Sequence, residues 1–101
     1  MGFSKRGHKG KVDGNQTDIV KALVKCGYSV RSMASVGDGF PDLLVGVQSL
    51  NILLEVKMPK GKLRAKQTAF RDGWHGQCAT VTSAEDAVKM VQLIIKANWE
   101  Q

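Results

Sequence analysis

Two apolar runs, Asp42-Leu-Leu-Val-Gly-Val47 and Ile52-Leu-Leu-Glu-Val-Lys57, stand either side of a short break, Gln48–Asn51. Both read as strands, and both carry apolar side chains on each face. Strands of this kind belong in the middle of a sheet that is covered on both sides. A lone hairpin has no such cover, so the rest of the chain must supply it. With 101 residues there is material for one domain and no second core.

The flanking segments read accordingly. From Gln16 the pattern turns helical, with Ile19, Val20, Leu23 and Val24 on one stripe and Gly27 where a helix-ending glycine belongs. Tyr28–Met33 alternates as a short strand, and the stretch from Ser35 to Pro41 is rich in turn residues. Met58–Lys66 reads as a basic loop. Ala65–His75 is a short helix with Ala69, Phe70 and Trp74 on one side, assigned to the core rather than to base stacking. Cys78–Val81 is a fourth strand. Ser83 then caps a last helix with Asp86 three residues on, and Ala87, Val88, Val91, Ile94 and Ile95 form its apolar stripe. The expected fold is α/β, in the order α-β-β-β-α-β-α, with a central mixed four-stranded sheet flanked by helices. Residues 1–14 read as a flexible basic arm and 15–101 as the single domain.

The sequence is 43% apolar and 24% charged, which is the balance of a globular chain rather than a disordered one. No apolar run has the length of a membrane span, and the start lacks the apolar stretch of a signal peptide. Two cysteines do not make a disulfide framework, and they suit a reducing, cytoplasmic setting. His75 and Cys78 have no second close pair, which argues against zinc. The net charge of +6 is concentrated. Residues 1–14 carry +3, and residues 57–71 hold Lys57, Lys60, Lys62, Arg64, Lys66 and Arg71 with no acid. A polyanion is the natural partner of such blocks, although a solvated basic surface would read the same way.

Asp42, Glu55 and Lys57 are the charged residues of the two central strands. Burying a charge costs several kcal/mol unless it is paired. With the break centred on Ser49-Leu50, Asp42 faces Lys57 across the ladder and Glu55 lies diagonally on the same face. Such a cluster is either a satisfied ion-pair group or a site where two carboxylates share a hard divalent cation, with Lys57 left for chemistry.

Pro41-Asp42 followed by Glu55-Val56-Lys57 resembles the PD-(D/E)xK nuclease motif. The longer string of Gly39-Phe-Pro-Asp-Leu-Leu-Val45, Leu54-Glu-Val-Lys57, Gln67 and Trp74-His-Gly76 resembles the VRR-NUC branch, in particular its small stand-alone phage and prophage members. The likeness spans residues 13–95. It implies a restriction-endonuclease-like core related to Holliday-junction resolvases. It also implies a Mg²⁺- or Mn²⁺-dependent endodeoxyribonuclease, acting as a homodimer on branched or four-way DNA in a bacterial cytoplasm or a phage-infected cell. In that reading Asp42, Glu55 and the Val56 carbonyl hold the metal, Lys57 serves the attacking water or the developing charge, and Gln67 lies beside them. The family's usual acidic residue on the first helix is missing. Gln16 stands at that place, with Asp18 and Asp13 as alternatives. Lys60, Lys62, Arg64, Lys66, Arg71 and Ser35 are the expected phosphate contacts. Two rival readings remain at this stage: a non-catalytic DNA-binding module whose three charges merely pair, and a structural or inhibitor protein that binds an acidic partner.

Overall fold

The computed structural model describes residues 10–99, with side chains from Asn15 onward. The chain runs α1 (Gly10–Lys25), β1 (Ser29–Ser32), β2 (Leu43–Val47), β3 (Leu50–Val56), α2 (Ala65–Gly73), β4 (Gln77–Val81) and α3 (Ala84–Trp99). The strands form one sheet in the order β1-β2-β3-β4; β3 and β4 are parallel, and the other two pairs are antiparallel. The α/β class, element order and mixed sheet are as expected, and the two apolar strands hold the two central positions. No helix among the described residues is long and apolar enough to cross a membrane. Cys26 and Cys78 are free thiols.

One face of the sheet is sealed by α1 and α3, which also pack on each other. Leu43, Val45, Ile52, Leu54, Val56 and Val81 point there and meet Ile19 and Leu23 of α1 and Ala87 and Val91 of α3. Because side chains alternate along a strand, Leu53 and Glu55 of β3 must face the other way. On that second face α2 meets the sheet through Gln67, which bonds Glu55, and it has no buried residue of its own. Phe70 and Trp74, expected in the core, instead form a surface cluster with Phe40. Phe70 and Trp74 stack with centroids 4.9 Å apart, and Phe40 meets Phe70 edge-on at 5.1 Å. The core is filled from the α1/α3 side, so the apolar side of α2 has only a half-covered sheet face to lie on.

Strand and helix ends shift by one or two residues, and two larger differences from the sequence reading stand out. Helix α1 begins at Gly10, inside the stretch taken for a flexible arm. The apolar stripe marks only the turns of a helix that pack, and it is silent about polar turns that precede them. Residues 1–9 of that arm lie outside the described residues. The hairpin register also differs. Leu43 pairs with Leu54 and Val47 with Leu50, so the turn is Gln48-Ser49. Both turn residues have positive φ, 50° and 67°. A two-residue turn with both φ positive matches the right-handed twist of the strands. At Gln48-Ser49, rather than Ser49-Leu50 or the longer Gln48–Asn51, it leaves Leu50 to pair in β3 and pack against the core. Asn-Gly is the sequence such a turn favours, and each ordinary L-residue placed there costs about 1–2 kcal/mol. The double substitution Gln48→Asn, Ser49→Gly is therefore expected to stabilise the chain by about 1 kcal/mol, read as a higher urea midpoint at unchanged slope. A lower midpoint would contradict the turn assignment.

Candidate active site

The two-residue slip moves the pairing without changing which face any side chain uses. Asp42, just before β2, now lies opposite Glu55 rather than Lys57, which becomes the diagonal neighbour. This corrects the expected Asp42–Lys57 pairing and brings the two carboxyl groups closer than expected. Asp42 Oδ2 accepts the Val56 backbone N–H at 2.8 Å. Its own carbonyl accepts Met33 N–H at 2.8 Å, which ties the residue to the β1 side. Lys57 Nζ lies 3.8 Å from Glu55 Oε2, and its side chain is 17% exposed.

Gln67 completes the arrangement from α2. Its Nε2 donates to Glu55 Oε2 at 2.6 Å, while its Oε1 accepts the Arg64 N–H at 2.8 Å. One carboxamide thus fixes a carboxylate of the sheet and occupies an orphan donor at the start of the helix. The loop before Asp42 is clamped to the same helix turn. Gly39, with φ of 85°, lies so close that a Cβ there would stand 2.6 Å from the Lys66 carbonyl oxygen. Asp38 beside it has φ of 58° and reaches Lys66 Nζ at 3.0 Å, an exposed pair that closes the turn.

These groups line a cleft of about 290 Å³ bounded by Asp42, Glu55, Val56 and Lys57 on the sheet side, Met58, Gly61, Lys62, Arg64 and Gln67 on the other, and Asn15. Burial and the neighbouring Asp42 carboxylate push the Glu55 carboxyl up to about 7, against the opposing pull of Lys57 and Arg64. A carboxylate pair at the edge of a cleft, one member ionising only near neutrality, is where a cation would relieve the most repulsion.

The expected residues fare unevenly. Asp42, Glu55, Val56, Lys57, Gln67, Lys62 and Arg64 all line the cleft. Gln16 does not: it borders a separate surface depression with Thr17, Val20 and Lys21. Asp18 is exposed, and the Asp13 side chain lies outside the described residues. Instead, among the described side chains of α1, Asn15 is the one that reaches the cleft. Its Nδ2 donates to the carbonyls of Lys57 at 3.3 Å and Thr82 at 3.4 Å, across the ends of the parallel strands. A helix turns by about 100° per residue, so a one-residue error in phase exchanges the two positions. Only the core stripe could have signalled it: Ile19 is fully buried, and Asn15 lies one turn earlier on that same face. Lys60 and Ser35 are exposed but do not border the cleft, Lys66 is paired with Asp38, and Arg71 turns its Nε to Asp72 at 3.2 Å.

Compared with protein-family models, curated proteins and solved structures, the chain gives no match. Among the described residues no three His, Cys, Asp or Glu side chains converge. The cleft offers the oxygens of two carboxylates, of the Asn15 carboxamide and of backbone carbonyls, all hard donors. That set suits Mg²⁺, which keeps several waters and is commonly held through one or two carboxylates.

Proposed function

We propose that the chain is a divalent-metal-dependent endodeoxyribonuclease of the PD-(D/E)xK type, with a VRR-NUC-like core. The observation that carries this reading is the meeting of Asp42 and Glu55 at one cleft with Lys57, under a rim that bears Lys62 and Arg64. In this reading Asp42, Glu55 and the Val56 carbonyl hold a Mg²⁺ or Mn²⁺ ion. Such an ion lowers the pKa of water and neutralises charge developing on a phosphoryl oxygen.

The remaining groups have roles that follow from their positions. Lys57, partly withdrawn from solvent, offers a positive charge to a phosphoryl oxygen, where low dielectric makes it count for more than in water. Gln67 fixes Glu55 in one orientation. Lys62 and Arg64 hold backbone phosphates, which positions DNA without reading its bases. Selectivity then rests on DNA shape, for which branched DNA is the proposed substrate. A junction is cut at two points and one protomer has one cleft, so a symmetric homodimer is the proposed assembly.

A second reading is favoured by one observation: Glu55 already has Gln67 and Lys57 as partners. In that reading the cluster is structural and the chain only binds DNA. Cleavage assays on four-way, flap and linear DNA separate the two. The nuclease reading expects cutting with Mg²⁺ or Mn²⁺ and none in EDTA. Salt-sensitive binding with no metal-dependent product would establish the binding module instead.

A further inference from the structure

Helix α2 ends on an aromatic surface. Trp74 is 44% exposed, yet its indole is held on three sides. Phe70 stacks on it with ring planes 20° apart, and Phe40 meets it edge-on at 6.4 Å. Gly76 leaves the space the indole occupies, since a Cβ there would stand 2.8 Å from Trp74 Nε1. The indole thus packs on two rings and still presents much of its surface to solvent. α2 contributes no buried residue, so the cluster does not serve the core.

Position and charge indicate what the surface meets. Gln67 at the start of α2 touches the cleft carboxylate, and Trp74 follows seven residues later. At about 1.5 Å of rise per residue the indole stands roughly 10 Å along the helix from the cleft, or about three stacked nucleotides at ~3.4 Å each. Of the basic residues between 57 and 71, Lys62 and Arg64 line the cleft at the start of α2, while Lys66 and Arg71 pair with Asp38 and Asp72. An aromatic face one short helix away from a basic rim suits an unpaired strand, with phosphates on the cations and bases on the rings.

We propose that Phe40, Phe70 and Trp74 form a stacking platform for an unpaired base of the DNA strand whose phosphate enters the cleft. The platform rests on the nuclease reading for its choice of DNA, and it adds a preference for substrates with strand-separated bases near the cut. Duplex offers it nothing, because paired bases keep their faces within the stack.

The test uses the full chain with Trp99→Phe, which leaves Trp74 as the only indole, in EDTA so that nothing is cut. Oligothymidylate, a splayed fork and a plain duplex are titrated, with binding followed by anisotropy of labelled DNA and stacking by tryptophan emission. Emission is expected to fall on binding the oligothymidylate and the fork, and to change little with duplex. Trp74→Ala in the otherwise native chain should lose about tenfold in affinity for the unpaired strand and little for duplex. Trp74→Phe should recover most of that loss, while Gly76→Ala, which displaces the indole without removing it, should lose an intermediate amount. Binding without quenching overturns the platform and leaves the nuclease reading standing. So does a Trp74→Ala chain that changes its sedimentation but not its DNA affinity, since the surface would then be a subunit contact. Quenching in a chain that never cuts with Mg²⁺ removes the nuclease reading alone. No binding to any of the DNAs removes both.

Discussion

If the chain is the nuclease proposed, Asp42→Asn, Glu55→Gln and Lys57→Ala are each expected to leave a folded chain that no longer cuts DNA. The fold should survive because none of the three belongs to the apolar cluster that α1 and α3 seal against the sheet. Asparagine at position 42 keeps an oxygen acceptor for the Val56 N–H and removes only the charge. Glutamine at 55 keeps the shape beside Gln67. Losing one preorganised electrostatic partner at a reacting centre costs about 10²–10³ in rate, and losing a metal ligand costs at least as much. Single-turnover cleavage of a four-way junction should therefore drop by about 10³-fold or more for the carboxylate variants. Thermal unfolding within a few degrees of the parent would show that the loss is chemical. Cutting within tenfold of the parent rate by either carboxylate variant would defeat the assignment.

The second large effect concerns pH. In the metal-free chain the Glu55 carboxyl is raised from 4.5 to about 7 by burial and by Asp42. A raised acid binds its proton more tightly in the folded state, so folding is favoured while the proton stays on. The contribution is complete below pH 4.5 and is lost as pH climbs through 7, where ionisation must be forced into a half-dry cleft. Taken at face value the shift is worth about 3 kcal/mol, and screening through the open mouth of the cleft reduces it to about 1–2 kcal/mol. Urea midpoints of the metal-free chain should therefore fall between pH 5 and 8, and Glu55→Gln should flatten that slope. Mg²⁺ should restore stability most at the alkaline end, where the empty pair repels most strongly. A slope of the opposite sign, or one unchanged in Glu55→Gln, would show that Glu55 ionises freely.

The sequence made the sheet legible because burial leaves a simple mark. Strands covered on both faces cannot alternate, and β2 and β3 do not. It made Asp42, Glu55 and Lys57 legible for the complementary reason, that charges inside apolar strands demand a partner. Gln67 came from the family resemblance alone. The misses share a cause. The Gln48-Ser49 turn has neither Asn nor Gly to announce its positive φ, so the sequence pattern points to a register two residues away from the true one. Asn15 and Gln16 differ by one step of helix phase, and both are polar. Phe70 and Trp74 carry the helical spacing of a core stripe, and nothing local reveals that the sheet face beneath them is left half open. Turn chemistry, helix phase and the supply of partners are tertiary facts that a one-dimensional pattern registers poorly.

Helix α2 buries nothing of its own, although it supplies the side chain that steadies Glu55. Amide exchange should divide the molecule accordingly. The β3 amides, enclosed between two neighbouring strands, should exchange only when the whole chain opens, and those of α2 should exchange through far cheaper local excursions. Each such excursion releases Glu55 from its amide tether while both carboxylates stay with the sheet. The rigid half of this architecture thus carries the charges, and the half that orients them breathes.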